Sequence, residues 1–166
     1  MEKKFAKVTP QDVYDTILSF DNGSYHFYTC DGVKTVKTKQ SGNDFIDTLA
    51  QCMGANMMSK VCFYEQQLGL PRHTLNSSML ACTGMSMRQW RSDFIMLAAK
   101  ELFMKTFYDL ETIGKRLGFS GAKTFSRWFV ANGADTPSVL RKQWRDAHIA
   151  KEKELFLKWK NEVSEG

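Results

Sequence analysis

The chain has 166 residues, 43% of them apolar, and a formal net charge of +5. This length and composition predict one main hydrophobic core with short appendages. The positive charge suits a polyanionic partner, but charge alone does not identify one. The apolar runs cover only a few residues each, and none follows the first lysines. We therefore expect no membrane span and no secretory signal.

Residues 1–43 are expected to form a small appendage. The segment TPQDVYDTILSF predicts a short helix capped by Thr9, with Pro10 first and apolar residues at positions 13, 14, 17, 18 and 20. Because so short an element buries little by itself, we expect the appendage to pack on the main domain or on a second copy.

A β-hairpin is predicted to follow this helix. Asp31-Gly32 suits a two-residue type I′ turn, which would place Cys30 opposite Val33 and Phe27 opposite Val36. The nearby Asn22-Gly23-Ser24 fits the glycosylation pattern, which we discount for a chain without a secretory signal. The lysines at positions 34, 37 and 39 are better explained by a soluble edge strand than by phosphate contact.

From Asn43 onward the apolar residues follow helical spacing almost to the end. They predict two helices broken near Gly54, a third around Leu75, a long helix from about Met87 to Thr106, and another from Leu110. The fold class is therefore mainly α. Past Pro137 a charged helix is expected, whose apolar stripe would make residues 146–166 a docking tail; its members are Ile149, Phe156, Trp159 and Val163.

An internal repeat relates residues 64–90 (unit 1) to residues 110–144 (unit 2). Leu68-Gly69 matches Leu117-Gly118 at an offset of 49, and Trp90-Arg91 matches Leu140-Arg141 at an offset of 50. In each unit an apolar helix stops at Leu-Gly and a second helix soon begins, which is the outline of a helix-turn-helix. The intervening helix, at about 1.5 Å per residue, would separate the units by about 30 Å. That distance is close to one turn of B-DNA, about 34 Å.

Helical phasing divides the second helix of each unit into an inward and an outward side. In unit 2, Phe125 and Phe129 point inward while Lys123 and Arg127 point outward, flanked by Thr124 and Ser126. In unit 1 the helix PRHTLNSSMLAC buries Leu75 and Met79. Its outward and marginal residues are Arg72, His73, Thr74, Asn76 and Ser77. Because it carries one formal cation and Leu80 lies near its outward side, unit 1 is the weaker candidate.

A Lys/Arg pair on a single exposed helix is usually only a solvated face. The repeat and the charge distribution favour a functional role, since residues 44–145 carry 13 Lys and Arg against 8 Asp and Glu. Arginine pairs with guanine and asparagine with adenine, so both units carry groups able to recognise base edges.

Residues 44–145 resemble the DNA-binding domain of the AraC/XylS family of bacterial transcription regulators. The resemblance lies in Leu-Gly-Phe-Ser, Phe-Ser-Arg-x-Phe, Thr-Pro-Ser and the final Arg of LETIGKRLGFSGAKTFSRWFVANGADTPSVLRKQW. It implies two helix-turn-helix units joined by a long helix, sequence-specific binding of double-stranded DNA, and recruitment or hindrance of RNA polymerase. A cytoplasmic, nucleoid-associated location follows. Whether the protein is an activator or a repressor stays open.

Transferred by position, the resemblance assigns base recognition to four residues in each unit. In unit 1 they are Arg72, His73, Asn76 and Ser77, and in unit 2 they are Ala122, Lys123, Ser126 and Arg127. Thr124 completes the expected DNA-binding set. Pro71 stands where a capping serine is common and is expected in the first helical turn. Since 43 preceding residues are too few for the family's sensing barrel, effector control by that route is not expected.

Two other functions are alternatives to DNA binding. An enzyme is not expected, because the three histidines are scattered and no metal cluster, phosphate loop or nucleophile arrangement stands out. We accordingly predict no metal and no cofactor. The stronger alternative is a helical protein-interaction adaptor derived from a regulator, with weak or lost DNA binding. Self-association through the N-terminal segment is a further expectation.

Overall fold

A computed structural model describes residues 7–133 and 135–164. The helices are α1 (Pro10–Val13), α2 (Asp44–Ala55), α3 (Val61–Gln67), α4 (Leu75–Thr83), α5 (Met87–Lys105), α6 (Leu110–Arg116), α7 (Ala122–Ala131) and α8 (Pro137–Ser164). The strands are β1 (Tyr14–Thr16), β2 (Leu18–Asp21), β3 (Ser24–Phe27), β4 (Thr29–Cys30), β5 (Val33–Lys34) and β6 (Lys37–Thr38). The predicted mainly helical fold with a small β-region in front is confirmed.

The N-terminal helix is a single turn, so the prediction of a helix reaching Phe20 was wrong. Thr9 does occupy the cap and Pro10 the first position, as expected. Beyond that turn the chain becomes extended because Ile17 is fully buried and its N–H donates to the Glu101 carboxylate at 3.0 Å. A tertiary contact therefore overrides the local helical pattern.

The β-region consists of three extended segments that pair in a ring. Residues 14–21 pair with β6 through β1 and with β3 through β2. Residues 24–30 then pair with β5 through β4, which closes the ring. The third segment, residues 33–38, contains β5 and β6. Each segment thus pairs with one of the other two along its first half and with the remaining one along its second half.

One of the two predicted cross-strand pairs is present. Asp31 and Gly32 both have positive φ, at +52° and +79°, and Cys30 lies opposite Val33. Phe27, however, lies opposite Leu18 and not opposite Val36.

The cause is a second two-residue turn, which the sequence interpretation missed. Asn22 and Gly23 have φ of +51° and +79° and join β2 to β3. Asn-Gly is a strong signal for a type I′ hairpin turn, and here it had been considered only as part of a glycosylation pattern.

The appendage packs on α5 through one buried carboxylate. Glu101 accepts hydrogen bonds from the hydroxyls of Tyr14 and Thr16, both at 2.6 Å, and pairs with Lys105 at 3.2 Å. Burial, followed by the charge of Glu101, raises the pKa of the Tyr14 hydroxyl. Val13, Ile17, Leu18 and Val36 join the same core as the α5 side chains. Packing on the main domain is thereby confirmed.

The predicted helices of the main domain are all present, and α8 runs without interruption through the expected boundary at residues 145 and 146. Its first half packs against the C-terminal half of α5. There Phe103 contacts the rings of Phe125, Phe129 and Trp144, with centroids 5.7 to 6.1 Å apart. This aromatic cluster fixes α7 and α8 on the connecting helix.

Candidate nucleic-acid interface

Both units turn between their helices at a glycine in the left-handed conformation. The φ angle is +67° at Gly69 and +98° at Gly118, a region that favours glycine. The N–H groups of Leu70 and Phe119 each donate to the carbonyl five residues earlier, at 2.8 and 2.9 Å. The two bonds are 49 residues apart, as the sequence repeat is, so the repeat is built as two helix-turn-helix units.

The two arginines of the repeat have a matching structural role. Arg91 donates to the carbonyl of Ser59, ahead of α3, at 2.9 Å. Arg141 donates to the carbonyl of Thr106, ahead of α6, at 3.0 Å. Each arginine thereby holds the start of its own unit. Nothing in the sequence alone distinguished this structural role from DNA contact.

In unit 2, α7 presents a cationic surface on a rigid aromatic base. Phe125 and Phe129 are fully buried, whereas Lys123, Thr124 and Arg127 are exposed. Neither Lys123 nor Arg127 forms an ion pair within residues 7–133 and 135–164, where the ion pairs are those of Asp15, Glu101, Glu111 and Glu152. Both cations are therefore available to a partner. Ala122 and Ser126 are partly exposed beside them.

The N-terminus of α7 is capped from the preceding helix. The Glu111 carboxylate accepts the Ala122 N–H at 2.7 Å and pairs with Lys115 at 3.3 Å. The backbone N–H of Ala122 and then Lys115 hold the pKa of Glu111 below its ordinary value. A further bond joins the hydroxyls of Ser120 and Thr124 at 2.6 Å. The first turn of α7 is thus fixed, and the Ala122 N–H is already hydrogen-bonded within the protein.

Close approach of α6 and α7 depends on Gly114. A Cβ atom there would lie 3.0 Å from the Gly121 carbonyl oxygen and 3.1 Å from the Phe125 Cβ. Those separations are too short for an unstrained contact. A glycine at this position lets the helix begin at Ala122.

Unit 1 differs at this position, and its second helix is shorter. Glu65 stands 49 residues before Gly114, and its carboxylate accepts the N–H groups of Thr74 and Leu75 at 2.9 and 3.1 Å. These bonds, with Leu75 first, lower the pKa of Glu65. The Glu65 side chain thus caps α4 at its start, which lies at Leu75 and not near Pro71.

Two expected recognition residues consequently lie outside the helix. Arg72 and His73 belong to the turn before α4, and His73 has a left-handed φ of +65°. The interpretation of PRHTLNSSMLAC as one continuous helix, with Pro71 in its first turn, was therefore wrong. Arg72 and His73 are both exposed, but their side chains do not share the α4 surface.

The remaining two expected recognition residues of unit 1, Asn76 and Ser77, are exposed on α4, and Asn76 forms a hydrogen bond within the fold. Asn76 accepts the Met87 N–H through its side-chain oxygen at 3.0 Å and so helps to start α5. Ser77 is exposed and forms no side-chain hydrogen bond with the described part of the chain. Leu80 is 48% exposed. The α4 surface is therefore neutral and partly apolar, whereas α7 carries two free cations.

Some other cations contact groups within the fold. Arg116 is partly buried over the Phe27 ring at 5.6 Å, and its Nε and Nη2 atoms have no hydrogen-bond partner among the described residues. Burial lowers the pKa of its guanidinium. In the appendage, Lys37 lies 4.0 Å from the Asp15 carboxylate, while Lys34 lies 5.5 Å from the centre of the Phe27 ring.

Residues 7–133 and 135–164 contain neither of two other kinds of site. Within them no three His, Cys, Asp or Glu side chains are grouped to hold a metal ion. No helix there has the length and apolar character needed to cross a membrane.

Comparison with known proteins finds domains that are similar to this chain. Residues 64–143 match the family model described as a helix-turn-helix domain. No curated protein sequence matches the chain significantly. The DNA-binding domain of AdpA, a global transcriptional factor solved in complex with a target DNA, is similar in structure. Its TM-score is 0.55 at 18% identity, over 64% of this chain and 96% of that one.

A second similar structure is that of the xylose-binding transcription activator xylR. It has a TM-score of 0.50 and 18% identity, and the match covers 68% of this chain but only 32% of xylR. The present chain thus corresponds to about a third of that protein. The AraC/XylS resemblance drawn from the sequence motifs agrees with the family match, and residues 64–143 have the fold of a helix-turn-helix domain.

Proposed function

We propose that the protein is a bacterial transcription regulator that binds double-stranded DNA, with α7 recognising base edges in the major groove. The observation that carries this proposal is the α7 surface, where Lys123 and Arg127 are exposed and unpaired over the buried Phe125 and Phe129. A guanidinium on a fixed helix can bond bidentately to guanine. The AdpA domain, similar in structure, was solved with a target DNA.

Within this proposal the two units contact successive major grooves but contribute unequally. The connecting α5 has 19 residues and is therefore about 28 Å long, close to the 34 Å pitch of B-DNA. Lys123, Thr124, Ser126 and Arg127 would recognise bases, with Ala122 packing close to them. In unit 1, Arg72 and His73 would contact phosphates. Ser77 and the free amide nitrogen of Asn76 would be available to bond to bases.

The family resemblance also supports contact with RNA polymerase and a cytoplasmic location on the nucleoid. Self-association through the N-terminal segment has less structural support, because Val13, Ile17 and Leu18 are already buried. The exposed pair Phe20 and Tyr25, with ring centroids 5.0 Å apart, is the surface that such an association would use. In vitro transcription from a promoter carrying the selected site would test polymerase contact and show the direction of regulation.

A second candidate function is a protein-interaction adaptor. The late start of α4 at Leu75 and the hydrogen bond between Asn76 and the Met87 N–H favour it, because they leave unit 1 with few groups for base recognition.

Selection from random duplexes, followed by titration of the selected and a scrambled duplex at two salt concentrations, separates the two functions. A regulator should bind the selected duplex at least about 1,000-fold more tightly, with affinity falling steeply as salt rises. An adaptor should yield no enriched sequence and only weak binding to either duplex, and that result would refute the proposal.

A further inference from the structure

The second half of α8 extends away from the rest of the fold. Every residue from Ile149 to Ser164 is exposed, and the apolar ones are 44 to 59% exposed. We define the α8 stripe as Ile149, Phe156, Trp159 and Val163. The rings of Phe156 and Trp159 have centroids 5.9 Å apart and contact each other.

This stripe is not a continuation of the face by which α8 packs on α5. Trp144, which contacts Phe103, lies 12 residues before Phe156. At 3.6 residues per turn that separation rotates the side chain by about 120° around the helix axis. The stripe therefore points in a direction in which the described part of this chain provides no contact.

The spacing of the stripe is typical of a helix that pairs with another helix. Ile149, Phe156 and Val163 repeat every seven residues, and Trp159 follows Phe156 by three, which is the a and d pattern of a coiled coil. A helix without tertiary contacts is marginal in water, and most helical stability comes from burying an apolar face. The sequence thus favours a covering helix.

Charge and area favour a second copy of α8 as that helix. Residues 146–164 carry four lysines against four acidic residues, so two copies meet without net repulsion and a polyanion is not attracted. With Leu155 at its margin, the stripe offers roughly 600 Å² from each copy. The resulting total of about 1,200 Å² reaches the lower end of the range for specific interfaces.

We propose that the protein forms a dimer in which the α8 stripes of two copies pack against each other. This association is independent of the DNA-binding surface, because α7 and the second half of α8 carry separate sets of residues. It couples two DNA-binding domains through their C-terminal helices.

The full chain, studied by light scattering after size exclusion, tests the proposal. We expect a mass near twice the 19.0 kDa of one chain. Phe156→Glu should return the mass to that of a monomer, and circular dichroism should show an unchanged fold because Phe156 is 59% exposed. Lys158→Glu is the matched control on the opposite side of the helix and should leave the dimer intact.

A disulfide experiment locates the contact. In a Cys30→Ser background, Val163→Cys alone should crosslink two copies if the helices are parallel, and Val163→Cys with Ile149→Cys if they are antiparallel. Either crosslink supports the proposal. A monomeric wild-type chain, a dimer that survives Phe156→Glu, or an absence of crosslinks in both variants would overturn it, including the case in which another protein occupies the stripe.

Discussion

Units 1 and 2 share one plan, but their second helices differ in where they start and in the charge they carry. Both have a glycine turn, a buried apolar anchor on the second helix and an arginine that holds the start of the first helix. Where unit 2 has Gly114, unit 1 has Glu65, and the second helix starts at Leu75 with no formal charge of its own. A repeated scaffold can therefore keep its fold while the second helices of its two copies differ in charge.

The largest expected effect concerns the anchor of α7. Phe125→Ala removes a fully buried ring that contacts Phe103, Phe119, Trp128 and Phe129. It should lower the free energy of unfolding by about 4 kcal/mol. Leu75→Ala at the corresponding position of unit 1 should cost about 3 kcal/mol, since Leu75 is also fully buried. Urea titration followed by circular dichroism measures both, and a loss below about 1 kcal/mol for Phe125→Ala would contradict the described packing.

The next effect compares the two units on DNA. Arg127→Ala should weaken binding to the selected duplex by about 2 kcal/mol and change binding to a scrambled duplex much less. Arg72→Ala, which removes the one cation among the expected recognition residues of unit 1 apart from His73, should weaken both duplexes alike and reduce the salt slope by about 1. Fluorescence anisotropy gives these affinities. Equal losses on the two duplexes for Arg127→Ala would remove its assignment to base recognition.

A third comparison tests the close approach of α6 and α7 at Gly114, where unit 1 has Glu65. Gly114→Ala adds a Cβ at 3.0 Å from the Gly121 carbonyl and should destabilise the protein by roughly 1 to 2 kcal/mol. Gly133→Ala is a contrasting control, because its Cβ meets nothing within 4 Å and any cost there comes from its φ of +79° alone. Thermal unfolding of both variants gives the two costs. An unchanged melting temperature for Gly114→Ala would show that the close approach is not needed.

The smallest effect is a pH dependence of stability. The pKa of Glu65 is lowered in the folded state by the N–H groups of Leu75 and Thr74, so its contribution is present above the ordinary value of 4.5 and is lost as pH falls through the folded pKa. At pH 7 the wild type should therefore melt above Glu65→Gln, and the two should converge in acid. Glu111→Gln should show a smaller gap because Glu111 is 52% exposed. A gap for Glu65→Gln that persists unchanged at pH 3 would contradict this account.

The helical framework could be predicted from the sequence because its apolar spacing and its Leu-Gly turns are local signals. The buried and exposed sides of α7 follow from the same spacing, since Phe125 and Phe129 lie four residues apart. The Asn22-Gly23 hairpin was also a local signal and was overlooked.

Other features depend on contacts between distant residues. Ile17 leaves the helical pattern because Glu101, 84 residues away, accepts its N–H. Asn76 is occupied because the start of α5 lies beside it, 11 residues later. No spacing rule shows which outward side chain will be hydrogen-bonded within the fold. This is why the sequence did not predict that Asn76 on α4 is partly occupied.

The central claim, that unit 2 recognises bases and unit 1 mainly supports binding, is tested most directly by the base preferences of the selected site. Quantitative selection should give strong preferences in one half of the site and weak ones about a helical turn away. Arg127→Ala should remove part of the strong half and leave the weak half unchanged. Equal base preference in both halves, or a strong half that survives Arg127→Ala, would contradict the account.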